Sequence, residues 1–226
     1  MRSYLEPTAP IASQALLTDD PKGAMDLATA LCDSPRMSNL SHGLWGYGGT
    51  TRDGLEVTVQ ALGIGGPSAA AVVSELAGLG VQRAIRIGSC IALDPALEPG
   101  AIMIGAEIEA CDGVGMALSD VVDILPHPVL TAGIARITGA PEGTIRSVDL
   151  AARARGTSQS GSVSDLSSAA VIATGVQAHM ETACALIVAE TSSGETLARE
   201  DLDKALIALG MRAAETLGVL DQAPGV

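Results

Sequence analysis

The sequence predicts an α/β fold, and three observations support this prediction. Segments typical of strands and of helices alternate along the chain, as they do where helices cover a sheet. Hydrophobic residues make up 47% of the 226 residues, so the chain can bury a sizeable core. No internal repeat or linker divides the sequence, and we therefore expect one domain over residues 1–226.

The first half of the chain predicts two helices with two strands between them. The segment 18–21, TDDP, has the carboxylates and the early proline that are typical of a helix start. Residues 44–51 and 55–62 are predicted strands that a tight turn joins. The glycine-rich run 63–68 then leads into an apolar helix, which we expect to end at Gly80.

The middle of the chain continues this alternation. Residues 83–88 and 101–110 are predicted strands, because both are short segments rich in isoleucine and other apolar residues. Residues 128–138 are a predicted helix with a proline at its start, and residues 143–147 are predicted to be extended.

Residues 156–168 form a stretch rich in serine and glycine. This composition predicts a surface loop, with a lid over an active site as the alternative. After it, we expect a strand at 171–173, a helix at 182–190 and a long amphipathic helix at 198–217.

Charge and composition exclude several functions. The formal net charge is −13 and only 1% of the residues are aromatic, so the protein lacks both the positive surface and the stacking platform that nucleic acids require. No apolar run suits a signal peptide or a membrane span. The four cysteines are far apart and there are only three histidines, so we expect a soluble cytoplasmic protein with no metal and no cofactor.

Two regions in the first half of the chain are candidates for chemistry. The run 63–68 would let a ligand approach the backbone, although taken alone its composition favours a tight turn between strand and helix. Arg86 lies within an apolar strand, where its charge needs a salt bridge or a ligand. Ser89 and Cys90 follow at the carboxyl end of that strand, where open α/β sheets place ligands.

A third candidate is the tripeptide His179-Met180-Glu181, between a predicted strand and a predicted helix. Glu181 would either cap that helix or accept hydrogen bonds from a diol. The sequence alone leaves both roles open.

Read together, three segments resemble the nucleoside phosphorylase superfamily, which includes purine nucleoside phosphorylases, uridine phosphorylases and nucleosidases. The segment LLTDDPKGA (16–24) is similar to the family's phosphate loop, and residues 42–90 are similar to its most recognisable block. The segment AHMETACALIVAE (178–190) resembles the Met-Glu segment that holds the ribose. The resemblance implies a three-layer α/β/α domain around a mixed, barrel-like sheet, and dimers that often assemble into hexamers.

The phosphate contacts implied by the resemblance are only partly retained. Arg86 and Ser89 match the family, but Asp19 stands where the family has glycine, and Gly23 where it has arginine. His42 replaces an arginine that the neighbouring subunit donates in relatives. A carboxylate in place of phosphate repels the anion, so ordinary phosphorolysis is not expected.

The base and sugar contacts implied by the resemblance also differ. Ile91 replaces a glycine on the floor that holds the base, whereas Met180 and Glu181 are retained. In relatives, a further strand follows the Met-Glu segment and ends in the acid that protonates a purine. Here Glu190 leads directly towards the last helix, and the sequence predicts that this strand is missing.

These departures predict a phosphorylase-like protein adapted to a phosphate-independent, biosynthetic reaction on a small, hydroxyl-bearing and largely apolar substrate. The expected catalytic residues are Glu181, His179 and Arg86. The residues expected to contact the substrate are Ile64, Ser89, Cys90, Ile91, Met180 and, from a neighbouring copy of the chain, His42. The expected partners are a small-molecule substrate and the chain itself, as a homodimer or a trimer of dimers, with neither nucleic acid nor membrane.

Two alternatives remain at this stage. The first is a true nucleoside phosphorylase or nucleosidase, in which Lys22 and His42 replace the lost arginines and Glu190 or Glu195 replaces the lost acid. The second is a catalytically inactive protein that binds a ligand or forms an oligomer.

Overall fold

A computed structural model describes residues 3–150 and 162–222. Its strands are β1 (Gln14–Thr18), β2 (Arg36–Asn39), β3 (Gly46–Thr50), β4 (Glu56–Ala61), β5 (Arg83–Ala92), β6 (Ile102–Cys111), β7 (Asp123–Ile124), β8 (Glu142–Val148), β9 (Ser162–Asp165) and β10 (Glu181–Glu190). Its helices are α1 (Pro21–Leu31), α2 (Gly65–Gly78), α3 (Gly113–Leu118), α4 (Pro128–Thr138), α5 (Ser168–Gln177) and α6 (Arg199–Asp221), with a single 3₁₀ turn at Ser41–Gly43.

Five of these strands close into a barrel. β5 pairs with β9, β9 with β8, β8 with β6, β6 with β10, and β10 returns to β5. Parallel and antiparallel pairs both occur in this ring, so the predicted mixed, barrel-like sheet is confirmed.

The remainder of the sheet extends from β5. β1 lies between β5 and β4 and runs parallel to both, and β3 and β2 follow in antiparallel pairs. β10 is parallel to β5 as well. The carboxyl ends of β1, β5 and β10 therefore meet at one edge of the sheet.

Helices cover the sheet on both sides. On one side α2 and α3 pack against α5, and on the other α1 and α4 pack against α6. Adjacent strand residues point to opposite faces, so Leu17 belongs to one hydrophobic cluster and Leu16 to the other. The predicted three-layer α/β/α arrangement is confirmed.

The local signals at α1 act as predicted. Pro21 is the first helical residue, and the Asp20 side chain caps the helix by accepting hydrogen bonds from the backbone N–H groups of Lys22 and Gly23. This cap fixes the backbone immediately after Asp19, and so helps to position that residue.

The longest helix, α6, has 23 residues and begins with a charged turn that contains Glu200 and Asp201. Neither α6 nor any other helix within the described ranges is both long and apolar enough to cross a membrane.

Two element predictions near the carboxyl end are wrong. Residues 171–173, predicted as a strand, lie in the middle of α5, and residues 182–190, predicted as a helix, belong to β10. Both segments are short and largely apolar, and such runs do not distinguish a buried strand from a buried helix. The strand expected to be missing before the last helix is therefore present as β10, and it closes the barrel between β5 and β6.

The serine-rich stretch 156–168 is also only partly a loop. Residues 162–165 form β9 and Ser168 begins α5, while residues 156–161 lie outside the described part of the chain. The predicted lid falls on those residues and stays a prediction.

Candidate functional site

A cavity of about 440 Å³ opens at the edge where β1, β5 and β10 end. Its polar lining consists of Asp19, Arg86, Ser89, Ser164, Asp165, Ser167, Glu190 and Thr196. The remaining lining residues are small or apolar: Gly63, Ile64, Gly65, Cys90, Ile91, Leu166, Ala189 and Leu197. An apolar cavity with a few convergent polar groups is the usual form of a small-molecule site.

Arg86 is the central cation of this cavity and is only 1% exposed. Its guanidinium forms ion pairs with Asp19, at 2.9 Å, and with Asp165, at 3.0 Å. It also donates hydrogen bonds to the hydroxyls of Ser167, at 3.0 Å, and Ser168, at 3.1 Å. The buried charge thus has the partners that the sequence required, and two carboxylates now face one guanidinium.

Asp165 holds Arg86 from the protein side. Its carboxylate accepts hydrogen bonds from the hydroxyls of Ser147, at 2.6 Å, and Ser168, at 2.8 Å. It also accepts one from the Ser168 backbone N–H, at 3.0 Å. With these hydrogen bonds and only 4% exposure, Asp165 fixes the position of the guanidinium.

Asp19 approaches Arg86 from the cavity side, and a third (33%) of its side chain is exposed. Desolvation in the cleft raises the pKa of this carboxyl, although the attraction of Arg86 opposes the change. Gly88 makes room for the pair, because a Cβ at that position would lie 2.7 Å from both Arg86 Nη2 and Asp19 Oδ2.

Cys90 is not a nucleophile in this site. Its thiol is buried and lies 3.4 Å from the carbonyl oxygen of Ile187, to which it donates a hydrogen bond. Burial raises the pKa of the thiol far above neutrality, so it remains protonated. Cys184 is also buried, and desolvation raises its pKa to about 12.

A second cavity, of about 370 Å³, lies on the other side of Asp19, between α1 and α6. The two cavities share Asp19, Ile64 and Ser89. The charged groups in the second cavity pair with one another: Lys22 with Asp26 and Asp203, and Arg199 with Asp203. Asp19 therefore borders two neighbouring cavities.

The structure brings together five of the residues predicted for the site. Ile64, Arg86, Ser89, Cys90 and Ile91 all line the first cavity, as their positions at the end of β5 and the start of α2 require. The sequence predicted Ser89 and Cys90 because ligands collect at the carboxyl ends of parallel strands, whereas Ile91 was predicted from the family resemblance.

The structure does not place Glu181, His179 or Met180 at this site. Glu181 is the first residue of β10, where it pairs with Arg83 at 2.6 Å and faces His127 at 3.7 Å. Ten residues of extended strand place the start of β10 about 30 Å from its end. The expected acid–base pair is thus at the opposite end of the barrel, because segment 182–190 is a strand and not a helix.

His42 lies in the 3₁₀ turn between β2 and β3, with its ring 5.5 Å from that of Tyr4. It does not line the cavity of its own chain. Its predicted contribution to a neighbouring subunit stays a prediction.

Sequence reasoning missed Asp165 and gave Glu190 only a secondary role. Asp165 was hidden in the serine-rich stretch that predicted a loop. Glu190 ends β10 and is paired in register with Ile91, so it lies beside the floor of the cavity. A signal for Glu190 existed: it is a carboxylate directly after a long apolar run, as at the end of a buried strand.

Comparison with known proteins agrees with this fold. A family model described as the phosphorylase superfamily matches residues 14–218. A DeoD-type purine nucleoside phosphorylase from Oceanobacillus iheyensis is 38% identical over 84 residues, which cover 37% of this chain and 35% of that protein. A uridine phosphorylase from Salmonella typhimurium is 33% identical over 105 residues, which cover 46% of this chain and 41% of the relative.

A second DeoD-type purine nucleoside phosphorylase, from Brevibacillus brevis, is 31% identical over 117 residues, which cover 51% of this chain and 49% of that enzyme. The matched segments thus span less than half the length of each of these relatives.

Proposed function

Because the chain belongs to the phosphorylase superfamily, we propose that it cleaves the N-glycosidic bond of a nucleoside, with water in place of phosphate as the nucleophile. One observation carries this proposal: Glu190 ends β10 in the same cavity as Arg86 and Ser89, in register with Ile91. The position for which the sequence indicated a lost acid is therefore occupied by a carboxyl group. The purine nucleoside and uridine phosphorylases that the chain resembles support a nucleoside as the substrate.

In this proposal Glu190 is the general acid. In its protonated form it donates a proton to the base nitrogen as the bond between that nitrogen and the sugar C1′ breaks. A general acid of this kind accelerates a reaction by about 10²–10⁴-fold.

Water then attacks C1′ and transfers a proton to Asp19, whose raised pKa makes it the better base. The products are the free base and the free pentose. Solvent returns both carboxyl groups to their starting protonation states.

The charge around Arg86 supports water over phosphate. One guanidinium faces two carboxylates, Asp19 and Asp165, so the local charge around Arg86 is negative. A phosphate dianion would therefore be repelled. Like charges a few Å apart disfavour binding, whereas water carries no such penalty.

A second candidate follows from the lining of the cavity. Ile64, Ile91, Leu166 and Leu197 give it an apolar wall, and no aromatic side chain among the described residues lines it to stack on a base. This favours a phosphate-independent biosynthetic reaction on an aliphatic, hydroxyl-bearing substrate.

Product analysis separates the two candidates. We expect the purified protein to release free base from at least one of adenosine, inosine, uridine and 5′-methylthioadenosine in phosphate-free buffer. Release that requires phosphate would contradict the hydrolytic proposal. No release with or without phosphate would favour the second candidate, or a protein that binds a ligand without turnover.

A further inference from the structure

Among the residues that the structure describes, Asp19 is the one that both forms an ion pair with Arg86 and borders both cavities. We propose that its carboxylate is a built-in anion that closes an oxyanion-binding site on Arg86. The inference deepens the proposed function by naming the residue that selects water over phosphate. The oxyanion site itself does not depend on turnover.

The guanidinium would stay in place without Asp19. Asp165 and Ser168 hold it through Nη1, at 3.0 and 3.1 Å, and both are buried. Asp19 takes only Nη2, which donates to its two carboxylate oxygens at 2.9 and 3.1 Å. Removing Asp19 therefore exposes a donor whose geometry is already fixed.

The guanidinium also has unused donor capacity. Its Nε is buried and has no hydrogen-bond acceptor among the residues that the structure describes. An arginine fork binds carboxylate and phosphate oxygens in the same way, so an external oxyanion is a chemical equivalent of the Asp19 side chain.

Space for such an anion lies on both sides of Asp19. The cavities of about 440 and 370 Å³ both border Asp19, and Ser89 also lines both of them. Truncating Asp19 to alanine would enlarge the space next to Arg86 and leave the Ser89 hydroxyl as a second donor.

Removing the negative charge of Asp19 also favours the binding of an anion. With Asp19 present, one positive group faces two negative ones, and without it Arg86 and Asp165 balance each other. The entering anion then no longer meets excess negative charge at contact distance.

Inorganic phosphate is the probe for this site. We expect Asp19→Ala to bind phosphate about 10- to 100-fold more tightly than the unaltered protein in titration calorimetry, which is the range for a hydrogen bond to a charged group. We also expect phosphate to raise the melting temperature of Asp19→Ala, and acetate to compete with it, because acetate supplies the missing carboxylate.

Asp53→Ala is the matched control, since it removes the same charge from the exposed turn between β3 and β4, away from both cavities. Phosphate binding by Asp19→Ala no tighter than by Asp53→Ala would overturn the inference. Should Asp19→Ala fail to fold, the nearly isosteric Asp19→Asn decides by the same titration. The unaltered protein's release of free base is a separate readout, so failure of the proposed reaction and failure of this site are distinguished.

Discussion

Arg86 shows what can be predicted from single residues. The sequence predicted that this guanidinium needs a partner, because an arginine in an apolar strand cannot lose its charge. The family resemblance also drew attention to Asp19, a carboxylate in a segment that is similar to a phosphate loop. Asp165 was not predicted, because it contacts Arg86 only when β9 pairs with β5 in the barrel. The local sequence around Asp165 carries no signal for that long-range contact.

The role of Glu190 is testable at this scale by removing its ability to donate a proton. We expect Glu190→Gln to lower kcat by about 10²–10⁴-fold without loss of fold, because the amide cannot protonate the leaving base. Steady-state kinetics on whichever nucleoside is cleaved would measure this effect.

Two variants serve as controls for that measurement. Glu195→Gln alters an exposed carboxylate just beyond β10, and Glu181→Gln alters the one at the opposite end of the strand. Both should keep kcat within about twofold, since neither residue lines the cavity. A large loss of kcat in Glu181→Gln, together with an unchanged kcat in Glu190→Gln, would show that Glu181 and not Glu190 is the general acid.

Gly88 gives a test of packing around the ion pair. We expect Gly88→Ala to destabilise the protein by about 1–3 kcal/mol, because its Cβ would collide with Arg86 and Asp19, both held in place. Thermal or urea unfolding would measure this loss of stability.

Gly78→Ala is the matched control for Gly88→Ala. Gly78 is the last residue of α2, and a Cβ added at this position would point into open space, so alanine there should be neutral or slightly stabilising. Equal stability of the two variants would show that the ion pair tolerates the added methyl group.

At the scale of elements, the most consequential wrong prediction is the helix at 182–190, where the structure has β10. Its sequence, ETACALIVAE, is a largely apolar run of strand length, and its pattern was interpreted as a helix although such a run fits a buried strand equally well. Because residues 182–190 form a strand, Glu181 and Glu190 lie at its opposite ends, and of the two only Glu190 lines the cavity. Two of the three predicted catalytic residues, Glu181 and His179, therefore lie outside the cavity.

Helix α2 holds the amino-terminal segment through Glu75. Its carboxylate accepts hydrogen bonds from the Ser3 hydroxyl, at 2.6 Å, and from the backbone N–H groups of Tyr4 and Leu5, at 2.8 and 2.7 Å. Partial burial alone would raise the pKa of Glu75, but these hydrogen bonds and the nearby His42 lower it. The ionised group therefore stabilises the folded protein above its ordinary pKa, and this contribution is lost as the pH falls through the folded-state pKa.

The expected consequence is a pH-dependent difference between the unaltered protein and Glu75→Gln. At pH 7 the variant should melt about 2–4 °C lower, because an amide cannot accept all three hydrogen bonds. Below the folded-state pKa the two melting curves should converge. A difference that is the same at pH 7 and pH 3 would show that the charge of Glu75 is not what anchors the segment.

For the whole molecule, the fold was largely predictable and the barrel closure was not. Alternating strands and helices indicate an α/β domain, and local signals at α1, α2 and α4 set their bounds. Closure depends on β9 and β10 pairing with β5 from far along the chain, and no local pattern encodes such pairings. The full set of site residues could not be predicted for the same reason, because the carboxylates of the site come from β9, β10 and the turn after β1.

The identity of the sugar product, formed in buffer that contains saturating phosphate, tests the central claim most directly. If Asp19 and Asp165 neutralise Arg86 and water is the nucleophile, cleavage of a nucleoside yields free pentose even when phosphate is abundant. Formation of pentose 1-phosphate would show instead that phosphate displaces Asp19 and that the protein is a phosphorylase.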